Sequence, residues 1–204
     1  MKVRTKSKSK TIYTVLIDEE IWGILPKKIL HFFSLPSEKE IRLSKEEIIK
    51  LLSEIEKYVW SKLLNYISFS ERSVWQCKNY LEQLPLNECL VEKLADRAVA
   101  ANYVNDQRFA ELYVEHLINK GKNPREIKSK LLTKHIDDGI INEVILNYFS
   151  PEKQEEILNL NIMKALTRYS KYPEKEKKEK VLNYLTRRGF SYWEIKEKLD
   201  KIRG

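Results

Sequence analysis

The side chains of this chain that could do chemistry are its cations. From 120 to 134 the sequence places Lys120, Lys122, Arg125, Lys128, Lys130 and Lys134 against a single acid, Glu126, whereas 135–149 holds Asp137, Asp138 and Glu143 with no Lys or Arg. Arg187 and Arg188 form a second basic pair near the C-terminus. Such clusters suit phosphates or an acidic protein face. The net charge of +8 is a poorer guide, because Lys2, Arg4, Lys6, Lys8 and Lys10 supply +5 of it and leave only +3 to residues 11–204. The distribution of charge, more than its total, has to carry any electrostatic argument.

Other chemistries find little support. His31, His116 and His135 lack a His-x-x-x-His spacing, and Cys77 and Cys89 lie twelve apart without a flanking metal-ligand pattern. The five glycines are isolated, so neither a phosphate-cradling loop nor a nucleophile elbow is present. The carboxylates are interleaved with Lys and Arg, and no pair sits in an apolar context that would tune it for acid catalysis. The expectation is a protein with no catalytic residues, no cofactor and no metal. No apolar run approaches the roughly 20 residues a bilayer demands, and the basic start has no following signal-peptide apolar region. A cytoplasmic protein with no membrane contact is therefore expected.

The elements that must position these cations are mainly helices. Gly and Pro together number only 11 of 204. Residues 1–10 read as a disordered basic tail. Thr11–Ile17 and Ile21–Leu25, β-branched and aromatic and separated by Asp18-Glu19-Glu20, read as a β-hairpin. Pro26 can open a short helix carrying Ile29, Leu30 and Phe33, completing an N-terminal module over 11–43. A linking helix follows over 44–58. Reciprocal caps are legible at Ser44/Glu47, Ser73/Gln76, Asn123/Glu126 and Ser191/Glu194, and Ser150-Pro151 opens a further helix.

An internal repeat organises the remainder. The stretch Tyr184-Leu185 through Leu199 overlays Lys130-Leu131 through Ile145, and both overlay Tyr80-Leu81 through Ala95. Anchors spaced by 50 and 54 residues leave room for three helices in each copy. Three three-helix repeats are expected, over 59–104, 105–149 and 150–204, stacked as an elongated curved array. On the helix begun at Asn123, a step of about 100° per residue buries Ile127 and Leu131 and turns the basic groups outward. Trp60, Trp75, Trp193, Tyr66, Phe69, Tyr103, Phe109 and Tyr113 fall at helical spacing near the anchors and are expected in the core.

Three stretches carry a resemblance: Leu64-Asn-Tyr-Ile-Ser-Phe-Ser-Glu-Arg72-Ser73 with Tyr80-Leu81, Asn102-Tyr-Val-Asn-Asp106-Gln-Arg-Phe109-Ala110-Glu-Leu-Tyr113, and Lys120-Gly121-Lys-Asn-Pro-Arg125-Glu-Ile127-Lys-Ser-Lys-Leu131. Over about 60–204 the chain resembles the RecX family, bacterial modulators of the RecA recombinase. The resemblance implies a curved monomer of tandem three-helix units that lies in the groove of the RecA filament on DNA and restrains ATP hydrolysis, strand exchange and coprotease activity. Two family features are altered. The usual Lys-Gly-hydrophobic turn survives as Arg188-Gly189-Phe190, but the matching turns read Leu84-Pro85-Leu86 and Lys134-His135-Ile136, and a customary glycine is Asn102. Asn and His enter the left-handed region more readily than other non-glycine residues, whereas Pro cannot.

The candidate contacts to a RecA filament or to DNA are Arg72, Arg97, Arg108, Lys120, Lys122, Arg125, Lys128, Lys130, Lys134, Arg187, Arg188 and Lys196, chosen for basic charge on the repeats. An alternative stays open on the same residues. Short helix triplets also resemble helix-turn-helix modules, and a DNA-binding protein acting without a recombinase would show weak, salt-dependent affinity for single- or double-stranded DNA.

Overall fold

The computed structural model describes residues 1–36 and 39–202. It is mainly helical with a small N-terminal antiparallel sheet, and 64% of the described residues lie in ten helices. The chain divides into two units, Met1–Asn105 and Asp106–Gly204.

The first unit opens on a strand where a disordered tail was expected. β1 (Lys2–Ser7) pairs antiparallel with β2 (Ile12–Ile17), β2 pairs with β3 (Glu20–Pro26), and β4 (Ile41–Arg42) adds to the other edge of β1, giving the order β3-β2-β1-β4. The reason is alternation: Val3 and Thr5 are fully buried while Lys2 and Lys6 stay in water, a period of two masked in sequence by the basic charges. Asp18 and Glu19, with φ of 47° and 70°, make the tight turn between β2 and β3.

α1 (Lys27–Phe32) follows, and then α2 (Lys45–Ser68), begun by the reciprocal cap of Ser44 and Glu47. The separate linking helix and the first helix of the first repeat are thus one continuous element, since nothing between 58 and 60 interrupts the stripe Ile48, Leu51, Ile55, Val59 and Leu63. Gly23 lets α2 approach the sheet, because a β-carbon there would lie 2.3 Å from Ile55 Cγ2. α3 (Val74–Glu82) and α4 (Glu88–Ala100) complete this unit and share its core through Leu81, Val91 and Leu94.

The second unit contains α5 (Asp106–Asn119), α6 (Pro124–Leu132), α7 (Asp138–Tyr148), α8 (Pro151–Arg168), α9 (Glu174–Arg187) and α10 (Tyr192–Lys201). Its two helix triplets share one core, in which Val114, Ile127, Leu131, Ile141 and Val144 join Ile162, Val181, Leu185 and Ile195. Gly121 and Gly189 end helices at φ of 71° and 96°, and Asn102 and His135 take the same left-handed conformation at 55° and 56°. The Leu84-Pro85-Leu86 turn is built differently: Leu86 N donates to Leu84 O, a one-residue reversal that needs no positive φ.

Several aromatics expected in the core lie outside it. Trp193 is 73% exposed, Phe69 77% and Tyr103 53%. Trp193 stands in the first turn of α10, whose buried positions are Ile195 and Leu199.

Candidate anion-binding surface

The surface is built on a polar network inside the second unit. Asn123 caps α6: its side-chain oxygen accepts from Glu126 N at 2.8 Å, and the Glu126 carboxylate accepts in turn from Asn123 N. Arg188, the residue that caps the end of α9, then clamps that carboxylate. Its Nη2 donates to Glu126 Oε2 at 2.9 Å and its Nε to Oε1 at 3.3 Å, while Nη1 donates to Asn161 Oδ1 at 2.6 Å. Asn161 lies on the buried stripe of α8 and donates to Gly121 O at 2.9 Å and Ile157 O at 2.7 Å. Asn123 Nδ2 closes the circuit on Arg188 O at 2.8 Å. The α5–α6 turn, α8 and the end of α9 are therefore tied at one point.

Electrostatics follow from this packing. Burial works against the Glu126 charge, but donors from Arg188 and Lys122 and the Asn123 N–H outweigh it and hold the carboxyl below its ordinary range. Burial likewise opposes the Arg188 charge, and the paired carboxylate overcomes it and raises the guanidinium above its usual value. Arg188, one of the candidate contacts to a partner, is instead turned inward, because Asn161 and Glu126 present acceptors beneath it.

Around this knot the cations sort into two groups. Lys122 donates to Glu126 Oε1 at 2.9 Å, and Lys128 is drawn to Asp138 at 3.1 Å and Asn142 at 3.3 Å, so internal partners occupy both. Lys120, Arg125, Lys130 and Arg187 are exposed and have no ion partner among the described residues. The Arg125 stem lies against Gly189, where a β-carbon would come within 2.7 Å of Arg125 Cδ. Two residues that sequence reasoning missed join the exposed group. Lys164 stands beside the α5–α6 turn, its amine 3.8 Å from where a Gly121 β-carbon would sit. Arg168, one turn further along α8, lies 5.2 Å from the Tyr184 ring, which Arg188 approaches from 5.7 Å. Asn161, a polar residue within the apolar run Ile157, Leu158, Ile162, was the signal that could have drawn attention to this stretch of α8.

The remaining candidates are not shown to share this surface. Lys134 and Arg108 are half-buried, at the α6–α7 turn and on α5. Lys196 is exposed on α10 and lies 5.8 Å from the Trp193 ring. In the first unit, Arg97 is 4.3 Å from the Trp60 ring and 3.6 Å from Glu56, and Arg72 is 4.6 Å from the Tyr66 ring, which stacks on Tyr80. Among the described residues no group of three or more His, Cys, Asp or Glu could hold a metal ion, and no helix is long and apolar enough to cross a membrane.

Helix triplets sharing a core, with unpaired cations gathered where two triplets are knotted, define a helical-repeat protein with a cationic face. Residues 105–145 match the family described as RecX, second three-helix domain. The chain is 31% identical over 196 residues to regulatory protein RecX of Streptococcus uberis, covering 94% of this chain and 73% of that protein. It is 30% identical over 199 residues to regulatory protein RecX of Lactococcus lactis subsp. cremoris, covering 94% and 72%. The crystal structure of RecX from Lactobacillus salivarius matches with a TM-score of 0.63 at 27% identity, over 72% of this chain and 96% of that one. A second crystal structure of regulatory protein RecX has a TM-score of 0.67 and covers 95% and 97%, a likeness of fold at 24% identity. The chain belongs to the RecX family.

Proposed function

We propose that this protein is a non-enzymatic regulator that binds RecA filaments on DNA and slows their ATP hydrolysis, strand exchange and coprotease activity. Family membership supports the regulatory role. The observation that carries the binding mode is the group Lys120, Lys164, Arg168 and Arg187, exposed cations around the α5–α6 turn, α8 and the end of α9 without an ion partner among the described residues. Charges left unpaired on a rigid support are available to an anionic partner at no cost of breaking internal pairs. Repeated units along one chain also let weak contacts to successive protomers of a filament add through effective concentration.

The test is single-stranded-DNA-dependent ATP hydrolysis by the cognate RecA, titrated with this protein and with the triple variant Lys120→Glu, Lys164→Glu, Arg187→Glu. The variant should need at least tenfold more protein for the same inhibition while keeping its helical circular dichroism. Undiminished inhibition would remove this face from the mechanism. Binding to DNA alone is the parallel measurement. A duplex affinity falling with salt at a slope near −0.9 per phosphate contact, with no effect on the recombinase, would favour the DNA-binding reading.

A further inference from the structure

The first unit carries an apolar groove that the cationic face does not involve. α1 and α2 wall a cleft of about 570 Å³ lined by Ile29, Phe32, Phe33, Ile49 and Ser53, with Lys50, Glu54 and Lys57 along one side. Two of its apolar side chains are unusually open to water: Phe32 is 87% exposed and Ile49 68%. Isolated exposed hydrophobes are ordinary, but two that face one another across a groove are the mark of an interaction surface.

The shape suits a helix. Ile29 and Phe32 on α1 and Phe33 just past its end are spaced i, i+3, i+4, and Ile49, Ser53 and Lys57 are spaced i, i+4, i+8 on α2, a run of roughly 12 Å at 1.5 Å per residue. Small Ser53 at the middle of that run leaves room for a ridge of apolar side chains to enter between the two walls. A helix laid there would present anchors at i, i+3 or i+4, and i+7.

The charge selects among helices. Glu54 is engaged by Lys57 at 2.7 Å, while the Lys50 charge acts on Glu47 without forming an ion pair among the described residues. α1 contains no acid and opens on Lys27 and Lys28, both exposed, and Lys28 precedes Phe32 by one turn on the same face. The groove is therefore apolar within and positive along its α1 margin, while its α2 margin carries Lys50 and Lys57 beside Glu54.

We propose that this groove receives an amphipathic helix of a partner protein, its apolar side chains seated against Phe32 and Ile49 and its acidic side chains directed to Lys28 and Lys50. This is a docking site separate from the cationic face of the second unit.

The probe is a fluorescein-labelled fourteen-residue peptide with leucines spaced three and four apart and glutamates on both flanks, added to the full chain and followed by anisotropy. Its counterpart has lysines in place of the glutamates. The glutamate peptide should bind in the micromolar range and the lysine peptide at least tenfold more weakly. Phe32→Ser should weaken the glutamate peptide at least tenfold, and because Phe32 is almost wholly in water the variant should keep the parent's circular dichroism and melting temperature. Lys50→Glu should narrow the gap between the two peptides. The triple charge reversal expected to weaken filament inhibition should bind the glutamate peptide as the parent does, which separates failure here from failure of the regulatory reading. Absence of binding, equal binding of both peptides, or indifference to Phe32→Ser would each overturn the proposal. So would a dimer in sedimentation equilibrium that Phe32→Ser abolishes, because the occupant would then be a second copy of this chain.

Discussion

Replacing Arg188 by methionine tests whether this cation is an internal clamp or a surface contact. The change removes three charge-assisted bonds to Glu126 and one to Asn161, and strands the Asn161 oxygen among Ile157, Leu158 and Ile162. Breaking a buried ion pair from one side costs about 3–5 kcal/mol. Here Lys122 remains on Glu126, and the Arg188 and Glu126 side chains keep 21% and 19% of their exposure, which places the loss at about 2–3 kcal/mol. If the second unit unfolds cooperatively by itself, a domain of about 100 residues loses roughly 4–8 °C per kcal/mol, so its midpoint should fall by about 10–20 °C. Urea and thermal unfolding by circular dichroism measure both quantities. The double variant Arg188→Met, Glu126→Met should recover much of the loss, because it removes the stranded charge along with its partner. An Arg188→Met protein within about 0.5 kcal/mol of the parent, or a double variant no more stable than the single, would refute the clamp.

Other outcomes follow from the same geometry. Glu126 has a folded-state pKa below its unfolded value of about 4.3, so its contribution is complete above that value and is lost as the pH falls through the lower folded one. The urea midpoints of the parent and of Glu126→Gln should therefore converge on acidification below about pH 4, and parallel curves would contradict this. Gly189→Ala places a side chain at φ of 96° and within 2.7 Å of Arg125 Cδ, and should cost about 1–3 kcal/mol in urea unfolding. Ser34→Gly, at φ of 49°, should stabilise the first unit by roughly 0.5–1 kcal/mol in a thermal melt. Arg125→Glu with Lys130→Glu should weaken filament inhibition while leaving the helical signal intact, and full inhibition would count against that edge of the surface.

Local rules made the helices readable. Caps written into single tetrapeptides, such as Ser44 with Glu47, Ser73 with Gln76 and Asn123 with Glu126, form in both directions, because both bonds close within one turn. At Ser191 only the serine side of the cap forms, accepting from Glu194 N. Left-handed turns at Asn102 and His135 were legible because few other side chains tolerate that conformation. β1 was not legible. Its only core-facing residues are Val3 and Thr5, the alternating basic residues gave it the composition of a solvated tail, and its pairing with β2 and β4 is a tertiary fact. The aromatics failed for a related reason, since helical spacing places Trp193 on a stripe without saying that another element covers it.

The candidate site shows the same division, and it bears on how basic clusters in helical repeats should be interpreted. Sequence locates a cation on a helix face but not the carboxylate that reaches it from another element. Arg188 and Lys122 both converge on Glu126, and Lys128 turns to Asp138, so part of the 120–134 cluster is consumed in holding the second unit together. Lys164 and Arg168 went unnoticed among the mixed charges of α8, yet the Asn161–Gly121 bond brings that helix beside the α5–α6 turn and puts the Lys164 amine next to Gly121, the residue after Lys120. A network that satisfies its own buried groups fixes the backbone from which the unpaired cations project, and that fixity matters for binding because a preorganised charge loses little freedom on meeting its partner. On this reasoning the clamp and the contact surface are different residues with dependent functions: loss of Arg188 should slacken the positions of Lys120, Lys164 and Arg187, and so reduce inhibition even at temperatures where the protein stays folded.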